Sequence, residues 1–476
     1  MSFRLVARNA LSLLSANAIG NAVGFAVTIV LVRYLGVEGI GRYTYFTTYA
    51  ALFGILSSFG LYLVLTRQVA AEPEKVGARL GSVLLLQALL APLALAVTVG
   101  SAALLHPASE VLPIALCSVG VILSSVAGAY GAVVSGQERI HLNAAVSIGM
   151  AVLWGLLVLA LVGLQLGVVG LIVLYVIHKL ANVSALRAVC RRLCGVRPRY
   201  DFRSLRVREA LLAAAPFALV LVLNDFYWNV GMILLGRLRG AEEVGTFTAA
   251  YRVIAVLVAA VGTVSGVLYP RFANLFTADP PGFVAAVDRT RKYALAIGLP
   301  LGLAISALAG PIVTVLFGPE FAAAGRSLQL LGWFIPFFCL SSPLSSALLA
   351  MGEEGTWLVL MAVATGLVIG GTALLAPPLG HVGTAGALLG SGAFLGAAVP
   401  LAVWAKGISL SLTTADLKVG AAFGAMGLIL WWWRGAPLTA LVVGAAAYAA
   451  VLYLSEFVTP EERLSFRTSL AVRREG

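Results

Sequence analysis

Apolar runs of about twenty residues recur from Leu11 almost to the C-terminus with only short polar breaks, and no other feature constrains the fold so strongly. At 1.5 Å per residue, a helical run of that length crosses the ~30 Å hydrocarbon core of a bilayer. The runs lie at 11–32, 43–66, 80–104, 111–135, 144–164, 167–189, 210–236, 246–270, 293–316, 327–350, 356–376, 382–404, 417–433 and 437–456. They predict an all-α polytopic membrane protein of about fourteen spanning helices. With 61% hydrophobic and 11% charged residues, the gaps leave no room for a soluble domain.

A net charge of +12 would point a soluble chain toward nucleic acid, but here the position of the charges decides their meaning. With the N-terminus inside, successive loops alternate sides. Of the 32 Lys and Arg residues, only Arg33, Arg42, Arg237, Arg239, Arg252, Arg326 and Arg434 then fall outside or just within the outer helix ends. The others sit on the inner side, most densely between Lys179 and Arg208. Positive charge retained inside predicts cytoplasmic N- and C-termini in a bacterial or archaeal inner membrane, and no nucleic-acid partner is needed to explain the charge.

Arg4 and Arg8 precede an apolar run in which Ala16-Asn17-Ala18 has the small-x-small form of a cleavage site. The run continues unbroken to Val32, which fits an uncleaved first helix. Cys117, Cys190, Cys194 and Cys339 are scattered in or beside predicted helices and imply no disulfide framework. Cys190 and Cys194 share a helix face, but two ligands make no zinc site.

An internal repeat organises the chain. Arg33-Tyr34-Leu35-Gly36-Val37-Glu38-Gly39-Ile40-Gly41-Arg42-Tyr43 aligns without gaps on Arg237-Leu238-Arg239-Gly240-Ala241-Glu242-Glu243-Val244-Gly245-Thr246-Phe247. Arginine, two glycines, a glutamate and an aromatic coincide, and each copy joins a helix going out to one coming back. An even number of helices separates the copies, so the halves run in the same direction about an axis along the membrane normal. The expected organisation is an N-terminal lobe at 1–190, a basic linker at 191–209, a C-terminal lobe at 210–405, and an extra helix pair with a tail at 406–476. Trp431, Trp432 and Trp433 end the thirteenth helix where an aromatic belt belongs.

From Asn17 through Arg33-Tyr34-Leu35-Gly36-Val37-Glu38-Gly39-Ile40-Gly41 to Phe59-Gly60-Leu61 and Arg67-Gln68-Val69-Ala70, the chain resembles the polysaccharide biosynthesis (Wzx-type) oligosaccharide flippases. These belong to a superfamily shared with MATE drug exporters and lipid II flippases. The resemblance implies two six-helix lobes in a MATE-like V-shaped arrangement, alternating between inward-facing and outward-facing states. It further implies substrates that are oligosaccharide repeat units linked to undecaprenyl pyrophosphate.

Ionisable groups inside a membrane helix cost at least ~2.5 to 3.5 kcal/mol on insertion scales, so each should face water or a partner. Asp225 lies about 16 Å below the outer end of the seventh helix, near the midplane. Its equivalent in the repeat is Asn21. Asn17 and Asn21 share one helix face, as do Asp225 and Asn229, so two equivalent helices each present a polar stripe at mid-depth. Such stripes serve equally as a binding surface or as hydrogen-bonded glue between helices. Asp225 has two competing roles, binding the coupling ion H⁺ or Na⁺ or pairing with Arg252. Arg33, Arg237 and Arg252 approach the outer side of the expected cavity and carry the bidentate geometry that grips a phosphate. Arg33 and Arg237 also suit snorkelling or pairing with Glu38 and Glu242. Gly36, Gly41, Gly240 and Gly245 suit turns. His178 reads as an interfacial residue.

No nucleophile elbow, Walker loop, zinc signature or dinucleotide fingerprint stands in a suitable setting, so the chain reads as a transporter and not an enzyme. The expectation is an ion-coupled flippase that holds no other cofactor. Its partners would be the lipid-linked oligosaccharide, membrane lipids, and polysaccharide polymerase or export components. The alternative is a MATE-like, cation-coupled multidrug exporter.

Overall fold

The computed structural model describes residues 3–201, 207–408, 413–433 and 435–458, with side chains from Gly20 onward except at Asn21 and Pro216. The described residues form helices and no strand. In order these are α1 (Phe3–Ser58), α2 (Leu61–Ala71), α3 (Val76–Leu105), α4 (Ala108–Gly136), α5 (Ile140–Gly163), α6 (Gly167–Arg192), α7 (Val207–Arg239) and α8 (Ala241–Ala278). They continue as α9 (Pro280–Ala307), α10 (Ala309–Phe317), α11 (Ala324–Ala350), α12 (Glu354–Leu379), α13 (His381–Ala405), α14 (Thr414–Trp432) and α15 (Pro437–Leu454).

Among the described residues, 12 helices are long and apolar enough to cross a membrane, and α9 with α10 makes one further span bent by 68°. α1 is itself two helices, because Gly36 interrupts it with φ 66° and ψ −176°. Divided there, α1 contributes two spans, and the described residues then hold about the fourteen that hydropathy predicts. Gly240, the equivalent residue in the second copy of the repeat, separates α7 from α8 with φ 89°. Only glycine adopts such angles cheaply, so both copies turn at the same place for the same reason.

Two predicted spans are broken. The second, expected over 43–66, stops at Ser58 and resumes at Leu61, with Phe59 at φ 43° and Gly60 at φ 69°. A Cβ on Gly60 would stand 3.1 Å from the backbone nitrogen of Ala218 and 3.2 Å from the Phe217 Cβ, so α7 reaches the chain where this helix bends. The ninth, expected over 293–316, bends between Ala307 and Ala309. Pro311 has no N–H to donate to the carbonyl of Ala307, and its ring clashes with that carbonyl in a straight helix.

The chain forms two compact units. The first comprises Met1–Arg252, Leu316–Ala324 and Met361–Ala387; the second comprises Val253–Val315, Gly325–Leu360 and Leu388–Gly476. Within the first, Leu61, Leu65, Leu80, Leu86, Tyr130 and Val133 make a buried core between α2, α3 and α4. α7 belongs to this unit because glycines bring it close to α1 and α2: Gly60 meets Phe217–Ala218, and Gly236 meets the ring of Tyr45. Arg67 lies over the Phe217 ring at 4.7 Å.

Within the second unit, α14 and α15 are fastened to α9. Arg291 and Asp416 are joined at 2.8 Å with side chains 8% and 10% exposed, and Asp288 approaches Arg291 at 3.0 Å. Asp416 also completes the capping box that starts α14 with Thr413. The Tyr448 hydroxyl donates to the Ala296 carbonyl at 2.7 Å, and Lys292 lies over Phe457 at 4.5 Å. Among the described contacts, a buried ion pair, a buried hydrogen bond and a cation–π contact join the apolar packing of Met426 and Tyr448 against Leu303 in holding the helices that lack a partner in the repeat.

Candidate functional site

Asp225 and Asn229 lie one turn apart on α7, and both are half-buried. Past the break at Phe59–Gly60, α2 runs against α7, and Tyr62 comes within electrostatic reach of Asp225. Among the described residues, no cation lies within 4.0 Å of Asp225, so the ion pair with Arg252 does not form in this structure. A carboxylate at this depth holds its charge at a cost that a proton or a bound cation would remove. The equivalent stripe on α1, Asn17 and Asn21, lies outside the described side chains.

Arg252 is half-buried on α8 and sits within electrostatic reach of Tyr43 and Tyr251. The two outer arginines have separate surroundings. Arg33 is exposed and its Nε donates to the Leu316 carbonyl at 2.8 Å, which fastens the end of α10 to α1. Arg237 is exposed and lies within reach of Tyr45. Glu38 pairs with Arg42 at 2.7 Å and not with Arg33, and among the described contacts no ion pair joins Glu242 to Arg237; the neighbouring Glu243 pairs with Arg239 at 3.6 Å. Arg239 also donates to the Pro377 carbonyl at 3.1 Å, and Glu243 accepts from the His381 amide at 2.6 Å, so the second turn is clamped to the α12–α13 junction.

The structure adds a set of aromatic residues around these polar groups. Phe247 stacks on Tyr251 with ring centres 5.9 Å apart, and Tyr251 lies 6.4 Å from Trp228 on α7. On α1, Tyr45 and Tyr49 flank His106: Tyr45 Oη lies 3.3 Å from His106 Nε2, and His106 Nδ1 lies 3.3 Å from Glu110. The signal for these in the sequence is the i, i+4 spacing of Tyr45, Tyr49 and Phe53 and of Phe247 and Tyr251, which places each set on one helix face. Phe247, Tyr45 and Tyr49 are buried, while Trp228 and Tyr251 are half-buried; half-buried rings near an amide and a guanidinium suit a large, partly polar ligand. His178 lies 3.1 Å from the Met150 carbonyl and faces Trp154.

Comparison with known proteins locates this arrangement. The chain matches the family described as polysaccharide biosynthesis protein over residues 6–276. It is 29% identical over 133 residues to the teichuronic acid biosynthesis protein TuaB of Bacillus subtilis (strain 168), a match covering 28% of this chain and spanning only 27% of that relative's length. Its fold is similar to that of the lipid II flippase MurJ in an inward closed conformation, with a TM-score of 0.75, 13% identity, and 93% of this chain and 98% of that one covered. It is also similar to an inward-facing multidrug resistance MATE family transporter, with a TM-score of 0.63, 15% identity, and 87% and 98% covered. The matched segment holds the repeat turns, the polar face of α7 and Arg252 together, and a chain with these in a multi-pass, MATE- and MurJ-like helical fold belongs to the polysaccharide biosynthesis protein family.

Proposed function

We propose that this protein is a flippase that carries an oligosaccharide linked to undecaprenyl pyrophosphate from the cytoplasmic to the outer leaflet of the inner membrane. The two repeat-related lobes rock about the site in alternating access, and both termini are cytoplasmic. The observation that carries the reading is the mid-depth polar face of α7, where half-buried Asp225 stands without a cationic partner among the described residues, in a chain of the polysaccharide biosynthesis family. Asp225 is the coupling residue: a proton or Na⁺ bound in one state and released in the other supplies the differential affinity that drives the cycle. Arg252, with Arg33 and Arg237 nearer the outer ends, meets the pyrophosphate, while Asn229, Asn17 and Asn21 bond to the glycan. Polysaccharide polymerase or export components receive the product.

The test is a gene deletion complemented with wild type or Asp225→Asn, reading surface polysaccharide and the leaflet in which lipid-linked oligosaccharide accumulates. Repeat units trapped on the cytoplasmic leaflet, with a normally expressed Asp225→Asn protein that fails to release them, are expected. Normal glycan with raised sensitivity to cationic dyes would instead make this a cation-coupled drug exporter.

A further inference from the structure

α6 carries one exposed face along its length. Val169, Val173, Ile177 and Leu180 recur on it at helical spacing, and Ser184, Arg187 and Arg191 continue the same stripe beyond them. On a helix long and apolar enough to span, the apolar part of such a face meets acyl chains. The face turns from apolar to cationic between Leu180 and Arg187, ~10 Å along the axis at 1.5 Å per residue, which is the scale of the passage from hydrocarbon to headgroups. Helical side chains lean toward the N-terminus, so these guanidiniums reach back toward that boundary.

The chain after α6 extends the charge and is clamped in place. Gly195, at φ 69°, turns it off the helix end, where the Val196 amide donates to the Cys190 carbonyl at 2.9 Å and Arg139 donates to the Leu193 carbonyl. The strap that follows lies backbone to backbone on the first turns of α3. There the Arg199 amide donates to the Gly77 carbonyl at 2.8 Å, and a Cβ on Gly81 would stand 1.9 Å from the Arg199 carbonyl oxygen. Further along, α3 shows its own exposed apolar stripe of Leu89, Leu93 and Val97. Arg197 and Arg199 are therefore fixed at the same end of the spans as Arg187, Arg191 and Arg192. All five are exposed, and among the described residues none of them is in an ion pair. The sequence has no Asp or Glu between Ile140 and Tyr200.

A soluble acidic partner would have to lie against the hydrocarbon to reach Arg187 and Arg191, whereas phosphodiester headgroups already stand at that level. Arginine takes a phosphate through paired, charge-assisted hydrogen bonds, and clusters of about four to eight basic residues beside a span attract anionic lipid. We propose that the end of α6 and the strap clamped to α3 form a docking surface for anionic phospholipid headgroups, with Arg187, Arg191, Arg192, Arg197 and Arg199 on the phosphates of adjacent lipids. The surface lies wholly within the first unit and does not depend on what the protein carries.

The experiment places photoreactive benzoylphenylalanine at Leu193 of the full-length protein, in phosphatidylcholine nanodiscs holding radiolabelled phosphatidylglycerol or radiolabelled phosphatidylethanolamine at equal mole fraction. At low salt, phosphatidylglycerol is expected to be labelled about fivefold over phosphatidylethanolamine, with the preference falling toward parity at about 0.5 M salt. The same group at Val169, at the other end of the face, is expected to show no preference. Arg187→Gln/Arg191→Gln/Arg192→Gln should lose most of the preference, and Arg187→Lys/Arg191→Lys/Arg192→Lys should keep most of it. Equal labelling of the two lipids at Leu193, a preference as strong at Val169, or one unchanged in the glutamine triple overturns the assignment. If the glutamine triple does not fold, the salt dependence and the Val169 comparison decide with its arginines in place. Displacement of the phosphatidylglycerol label by polyglutamate would give the surface to an acidic protein instead.

Discussion

Gly41 and Gly245 occupy equivalent places in the two copies of the repeat, and each presses against the other copy's turn. A Cβ on Gly41 would collide with the Ala241 carbonyl, and one on Gly245 would collide with the Val37 carbonyl and come within 3.2 Å of the Gly41 backbone nitrogen. Val37 and Ala241 are themselves equivalent, so the contact is reciprocal: the turns close on each other about the axis that relates them, backbone to backbone.

This contact leaves no space for even a methyl group. Gly41→Ala and Gly245→Ala are each expected to destabilise the closed turns by ~1 to 3 kcal/mol, the usual range for overpacking. Because both act at one contact, the double variant should cost clearly less than the sum of the single ones. Thermal unfolding of the detergent-solubilised protein measures both, and strictly additive losses would show that the turns do not close on each other.

Gly36 and Gly240 act differently, since a Cβ at either meets nothing within 4 Å and only the positive φ opposes substitution. Alanine there should cost ~1 to 2 kcal/mol, and asparagine, which tolerates left-handed angles, less. Equal losses for alanine and asparagine in the same unfolding measurement would contradict a backbone origin.

Which of these features the sequence displays follows from where each is encoded. Helix number and class are written in runs of about twenty apolar residues, which any local reading finds. The turn glycines show as a repeat, and Gly36 and Gly240 behave as turn glycines should. The contact between Gly41 and Gly245 is a tertiary fact; a glycine that permits a turn and one that permits a close approach are the same letter. The break at Phe59–Gly60 was hidden for the same reason, because an apolar run does not say which neighbour intrudes on it. Asp225 was legible because a charge inside an apolar run is conspicuous. Its relation to Arg252 was not, because depth along a helix fixes neither rotation nor side-chain reach. The aromatic residues around Arg252 escaped because, in a membrane chain, aromatic spacing looks like ordinary packing.

The Arg291–Asp416 pair predicts how the last two helices are lost. Asp416→Ala takes the 2.8 Å partner from a buried guanidinium and removes the cap of α14, so a cost of ~3 to 5 kcal/mol is expected. Replacing both partners with apolar residues should recover much of it. Limited proteolysis between α13 and α14, compared between Asp416→Ala and an Arg291→Met/Asp416→Leu pair, reads the difference. Equal protection in all three proteins would mean that the pair does not hold the helices.

The turn that joins α11 to α12 carries a prediction about pH. Glu353 accepts from Lys406 at the end of α13 and from the Thr356 hydroxyl, and these bonds, the one from Lys406 first, hold its carboxyl below the ordinary glutamate range. A carboxyl depressed on folding contributes stability that is fully present above its unfolded value, ~4.3, and is lost as pH falls through the lower folded value. Glu353→Gln should therefore unfold at a lower temperature than wild type at neutral pH, and the two should converge as the pH drops below about 4. The effect is small, as for any exposed pair, and screened by salt. Scans of both proteins at low ionic strength from neutral to acid pH decide it. A gap that stays constant across the range would mean that Glu353 acts through packing and not through its charge.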